Sequence, residues 1–199
     1  AAGIKVVLVD TTLSDPSGAV SQISSDNPAG GGFAFKAIQQ LVPNGGEVLV
    51  VSTTPGVSTT DQRTQGFAAA AKADPKFKYL GVQYDQDSAS VAAQVTLASL
   101  QKNPNIVGIF ATNLFSAEGA ATGVRQAGKS GKVKIVGFDA DPDQITALKQ
   151  GTVQALVAQH PYDIGTNAVD QAYAALTGKQ TDPKIGTKFT IITKANESS

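Results

Sequence analysis

Residues 132–141, KVKIVGFDAD, set the plan of this chain. Val133, Ile135 and Val136 make a short apolar run with no alternation. Such a run suits a strand covered on both faces. Gly137 lets another group approach the backbone closely, and Phe138-Asp139 falls where the strand should end. A helical pattern follows from about Asp141 to Gln150. A strand that delivers a carboxylate at its C-terminal edge, just before a helix, is how open α/β sheets build ligand crevices.

The same unit recurs. Strands are expected over 4–9, 47–52, 77–82, 106–110, 133–138, 153–158 and 189–192. Helical patterns lie between them. One follows the SSDN-Pro-Gly stretch (24–32), through Phe33, Ala37, Ile38 and Leu41, and ends near Pro43, and one starts at Asp61 as N-cap. Another spans 88–102, one is capped by Ser116 and ends at Gly128, and a late one opens with Pro161. Short apolar runs alternating with helices predict a doubly wound, mostly parallel α/β sheet. Residues 11–25 and the GKQTDPKIG stretch read as loop, and NESS at the end as a frayed tail. One strand and one late helix are surplus to the central sheet and read as parts of a second domain.

The composition narrows the chemistry. Lys plus Arg number 16 and Asp plus Glu also 16, so charge makes no case for nucleic acid or an anionic membrane. With no cysteine, disulfides, thiol catalysis and Cys-ligated metals are excluded. A single histidine, His160, excludes His-rich metal sites and most Ser-His-Asp arrangements. No apolar run is long enough for a membrane span. No nucleophile elbow or phosphate loop occurs, and no cofactor is expected. Asp85 and Asp87 read as a solvated turn in preference to a cation site.

Asp10, Thr53, Asn113, Asp139 and Gln159 fall at or just beyond strand ends, and Arg63 opens the helix after the TTPGVSTT loop. Carboxylates accept, arginine donates and amides do both. That mixture suits a neutral ligand with many hydroxyls, and arginine can serve two adjacent oxygens at once. Each position also has a plainer reading. Asp139 is compatible with capping the next helix, Asn113 with satisfying a turn, and Arg63 with a surface ion pair to Asp61 or Asp74. His160 before Pro161 reads as structural or solvent exposed.

The stretches VVLVDT (6–11), SSDN (24–27), TTDQRTQGF (59–67), QKNPNIVGIFATN (101–113), GKVKIVGFDADPD (131–143), LKQGTVQALVAQHPYDIG (148–165) and TIITKAN (190–196) carry a resemblance over nearly the whole chain. Together they resemble the C-terminal two-thirds of a periplasmic sugar-binding protein of the type I, ribose-binding class, the solute-binding components of ABC importers. The resemblance implies a Rossmann-like lobe of a two-lobed fold whose first lobe is incomplete. Residues 1–25 and 159–188 would be first-lobe fragments. Residues 26–158 would form the second lobe, with 189–199 as its return strand and tail. It implies Asp10, Arg63, Asn113, Asp139 and Gln159 as sugar or polyol ligands, with Phe115 as an apolar wall. The family often has arginine where Thr11 stands, so one donor is missing. It further implies binding without catalysis, a membrane permease as partner, a missing N-terminal segment, and a periplasmic or lipid-anchored location. The same fold serves as the effector-binding core of sugar-responsive transcription regulators, the other function class compatible with these residues.

Overall fold

The structure, a computed structural model, describes residues 3–197; Ser198 and Ser199 of the expected frayed tail lie outside the described residues. Two sheets organise it. The larger has six strands in the order β4-β3-β5-β6-β7-β9: β3 (Gly46–Ser52), β4 (Phe77–Tyr84), β5 (Ile106–Ala111), β6 (Lys134–Phe138), β7 (Ala155–Gln159) and β9 (Phe189–Thr193). All neighbours pair in parallel except β7 and β9, which are antiparallel. Five helices cover it: α1 (Asn27–Leu41), α2 (Ser58–Ala73), α3 (Ala89–Lys102), α4 (Leu114–Gln126) and α5 (Pro142–Gln150).

The inner strands β3, β5, β6 and β7 are mostly apolar and buried because both faces are covered, as the lack of alternation predicts. Under α1 and α2 lies a core with Phe35, Ile38, Phe67, Phe110 and Phe138. Under α3, α4 and α5 lies another, with Leu49, Ile109, Ile135, Leu148 and Leu156. Aromatic rings connect across the first: Phe110 to Phe138 tilted at 6.4 Å, and Phe138 to Phe189 edge to face at 5.3 Å, between centroids.

The smaller sheet has three parallel strands in the order β1-β2-β8: β1 (Val7–Val9), β2 (Ser21–Ser25) and β8 (Lys184–Thr187). Helix α6 (Pro161–Leu176) packs on β1 and β2. The chain therefore passes between the sheets three times: from β2 to α1, from β7 to α6, and from β8 to β9.

Several expectations are corrected. The strand over 4–9 is confined to Val7–Val9. β2 and β8 lie in stretches that read as loop. β2, SQISS, has one apolar side chain, but its buried Ser21 hydroxyl donates to the Asp182 carbonyl at 2.6 Å, and ladders on both sides satisfy its backbone. α2 begins at Ser58, not Asp61, and has no side-chain cap; the Asp61 carboxylate instead accepts from the Gly56 N–H at 2.8 Å. The cap of α4 is Asn113, whose Oδ1 accepts from the Ser116 N–H at 3.0 Å. Asp141 caps α5 in a reciprocal box with Gln144, so Asp139 is free of that duty.

Asp85 is the other correction. It is 0% exposed, not in a solvated turn. Its carboxylate accepts from Ser116 Oγ at 2.5 Å and from the Asp87 N–H at 2.9 Å. Burial pushes its carboxyl up from the usual range, with the Ser116 and Asp87 hydrogen bonds opposing and the Asp87 charge reinforcing. A raised folded-state pKa means that the folded protein holds this proton more tightly than the unfolded chain. The resulting stabilisation is full below the unfolded value near 4 and is lost as pH rises through the folded value. Asp85→Asn keeps the shape and can still accept from Asp87 while donating to Ser116. Urea unfolding at stepped pH from acid to neutral should show a shallower fall in stability for Asp85→Asn than for the unaltered chain. Parallel pH profiles would dismiss this account of Asp85.

Candidate functional site

In open α/β sheets ligands bind beyond the C-terminal ends of strands, where the strand order reverses. Here β4 lies on one side of β3 and β5 on the other. The reversal falls between the ends of β3 and β5, and Arg63 reaches that point from α2. Its Nη1 donates to the Thr112 carbonyl just past β5 at 2.9 Å. Its Nε donates to Asn27 Oδ1, at the start of α1, at 2.8 Å. Its guanidinium carbon lies over the Phe138 ring, 3.7 Å from the centroid. Only 4% of Arg63 is exposed, so the plainer reading of a surface ion pair is overturned. The carboxylates of Asp61 and Asp74 have other partners, the Gly56 N–H and Gln39 Nε2. Nε and one Nη1 hydrogen are committed, which leaves the rest of the guanidinium fork for an oxygen-rich ligand.

Burial pulls the Arg63 pKa down to about 10, while the charges of Asp139 and Asp10 act to raise it. At neutral pH the group is therefore still a cation. Burial raises the Asp139 carboxyl; the Arg63 charge and a hydrogen bond from Gln159 lower it, and Asp10 and Asp141 raise it further. The Gln159 amide donates to Asp139 Oδ1 at 2.6 Å. Asp10, Arg63, Asp139 and Gln159 thus form one electrostatic group. Asp10 belongs to the small sheet and the other three to the large one. Near Asp10 the units also touch directly: the Thr12 N–H donates to Ser58 Oγ at 3.1 Å. A narrow cavity of about 40 Å³ lies there, lined among others by Asp10, Gln22, Asn27, Ser58 and Gln62. It has room for about one water.

Backbone strain marks the same edge. Among the described residues the non-glycine residues with positive φ are Asp10 (67°), Gln86 (56°), Asp87 (59°) and Asp139 (76°). All follow the C-terminal ends of β1, β4 or β6. The left-handed region costs an L-residue about 1–2 kcal/mol, and such strain concentrates where side chains must be aimed.

The other expected positions are less engaged with this group. Thr53 is buried and hydrogen-bonded to Thr60 at 2.9 Å. Asn113, besides capping α4, donates from Nδ2 to Asp87 Oδ1 at 2.6 Å. One Nδ2 hydrogen and one Oδ1 lone pair remain to it. Phe115, in the first turn of α4, is 42% exposed. His160 is partly exposed and bridges Asp163 and Thr190. Asn27, Thr112 and Gln144 were not singled out from sequence. Buried Gln144 donates to the Phe138 carbonyl at 2.7 Å and fixes the strand end that presents Asp139. The Asp-x-x-Gln capping-box spacing at 141–144 was the available signal for it. Among the described residues no group of His, Cys, Asp or Glu is placed to hold a metal, and no helix is long and apolar enough to cross a membrane.

Residues 1–180 match the family model described as a periplasmic binding protein domain. The chain belongs to that family. The ribose import binding protein RbsB of Haemophilus influenzae is 35% identical over 175 residues, covering 88% of this chain and 59% of that protein. A solute-binding protein of an ABC transporter from Agrobacterium vitis, solved bound with α-D-tagatopyranose, superposes with a TM-score of 0.94 at 40% identity. It covers all of this chain, which spans 70% of it. A carbohydrate transporter solute-binding protein from Agrobacterium radiobacter, in complex with D-arabinose, gives a TM-score of 0.90 at 30% identity over 98% of this chain and 68% of that one. The chain spans about half to three-fifths of the length of the curated relatives it matches.

Proposed function

We propose that this chain is the larger part of a sugar- or polyol-binding protein that delivers its ligand to an ABC permease outside the cytoplasm. The reading rests on one observation above all. A desolvated guanidinium with unused N–H groups sits beside the half-buried carboxylate of Asp139, with Asp10 approaching from the other sheet. Vicinal hydroxyls match that set: each O–H donates to a carboxylate while its oxygen accepts from Arg63 or Gln159. Asp10, Arg63, Asp139 and Gln159 are the principal contacts. Asn113 adds a donor at the β5 edge, and Phe115 an apolar wall.

Residues 1–25 and 160–188 form part of one lobe, and 26–159 with 189–197 form the other, since Gln159 closes β7 of the large sheet. Ligand bridges the lobes and favours their closed arrangement, which the permease recognises. The portion of the relatives that this chain does not span supplies the rest of the first lobe. Titration calorimetry against pentoses, hexoses and polyols tests the proposal. A protein completed with the first-lobe segment should bind at least one of them in the micromolar range or tighter. The 199-residue chain alone should bind far more weakly. Tight binding by the chain alone would reject the incomplete lobe, and no binding by the completed protein would reject the sugar-binding reading.

A further inference from the structure

The three passages between the sheets are joined by one hydrogen-bonded chain, and that chain ends on the ligand-facing carboxylate. Ser25 closes β2 at the first passage, Gln159 closes β7 at the second, and Thr187 closes β8 at the third. Ser25 Oγ donates to Gln159 Oε1 at 2.8 Å and lies 3.4 Å from Thr187 Oγ1. Gln159 Nε2 donates to Asp139 Oδ1 at 2.6 Å. Ser25 and Thr187 are both buried. Their backbones are tied as well, the Asp26 N–H donating to the Thr187 carbonyl at 3.2 Å.

The direction of every proton in this array follows from Asp139. Its Oδ1 accepts from Gln159 Nε2, which turns the amide NH₂ toward Asp139 and the amide oxygen toward Ser25. Ser25 must then spend its single O–H on Gln159. It has only lone pairs left for Thr187, so Thr187 is the donor of that pair. One orientation satisfies all four groups, and reversing any member leaves a buried donor or acceptor unpaired.

We infer that Ser25 and Thr187 are positioning residues that hold Gln159 and Asp139 in register with the passages, so that the open–closed balance of the lobes is set by the carboxylate that meets the ligand. This rests on the two-lobe reading proposed above. Closing rotates the lobes about these three passages, and a ligand hydroxyl on Asp139 engages the group that orients the array. Without the Ser25 hydroxyl, Gln159 Oε1 loses its donor, the amide is free to turn, and the passages lose their common tie.

The test does not need a ligand. The chain has no cysteine, so cysteines placed at exposed Ala69 on α2 and Thr166 on α6 take spin labels at those sites alone. Pulsed dipolar spectroscopy then reads the separation between the two units. Ser25→Ala should widen the distance distribution about twofold relative to the unsubstituted labelled chain, and Ser25→Thr, which restores the hydroxyl, should return it. Thr187→Val, which keeps the volume and removes the terminal donor, should widen it less and carries the test if Ser25→Ala does not fold. An unchanged width in the alanine variant, or in the valine variant where that one carries the test, overturns the inference. So does a threonine variant as broad as the alanine one. In the completed protein Ser25→Ala should also raise the sugar Kd about tenfold. A widened distribution with no sugar bound by the unsubstituted protein would leave the coupling standing and reject the sugar-binding function alone.

Discussion

Arg63→Ala should cost about 3–5 kcal/mol of stability and, in the completed protein, at least about 100-fold in sugar affinity. The stability loss has three sources. Asn27 Oδ1 and the Thr112 carbonyl lose their donor while remaining buried. Asp139 loses the cation that offsets its burial. The Phe138 face loses the guanidinium that covers it at 3.7 Å. The affinity loss follows from the proposed site, in which the remaining N–H groups of the same fork donate to the ligand. Arg63→Lys separates the two effects. An ammonium keeps the charge but is a point donor without the planar fork, so it cannot hold Asn27 and Thr112 and also span two ligand oxygens. It should recover part of the stability and little of the binding. Urea unfolding and calorimetry on the two variants check this. A loss below about 1 kcal/mol for the alanine variant would mean that Arg63 is not the keystone of this edge.

The second large effect separates adjacent glycines. At Gly31 a Cβ would stand 2.0 Å from the Arg63 carbonyl oxygen and 2.7 Å from the Phe67 nitrogen; at Gly66 it would stand 2.0 Å from the Pro28 oxygen. α1 and α2 therefore cross backbone to backbone, and the obstructing atoms cannot swing aside as a side chain could. At Gly32 a Cβ would meet nothing within 4 Å. In a helix interior, alanine is favoured over glycine by about 1 kcal/mol. Gly32→Ala should therefore raise stability by about 0.5–1 kcal/mol. Gly31→Ala should lower it by about 2–4 kcal/mol despite the same propensity gain, because the helices must part. That parting also displaces Arg63, whose own carbonyl is the obstacle, so ligand affinity should fall with stability. Equal melting shifts for the two variants would remove the close crossing from the account.

The large sheet was legible because its strands are covered on both faces. GEVLVVS and IVGIFA announce burial by composition alone. β2 and β8 were not legible, because SQISS and KIGT draw their stability from pairing and from buried hydroxyls, which a hydropathy pattern does not register. For the site, strand-end position marked Asp10, Asp139 and Gln159, and Arg63 could be picked out by type. What position could not show was commitment: Thr53 is used by Thr60, and much of Asn113 by its helix and by Asp87. In sequence Asn27 stands only as part of the SSDN stretch and Asp85 reads as a solvated turn, because their partners are 36 and 31 residues away. The need for them appears only once Arg63 and Ser116 are seen to be buried.

The antiparallel strand β9 bears on how the chain is made. It is the last strand in order, yet it covers the edge of β7, ALVAQ, whose residues are almost all buried. While the chain emerges from the ribosome, β7 waits with an open, apolar edge until β8 and β9 have both been synthesised. An unpaired edge of that kind invites pairing with other nascent chains. Slow decoding between codons 160 and 190 would prolong that exposure. Losses in yield from synonymous changes there should appear as aggregation, with no change in the stability of the protein that does fold.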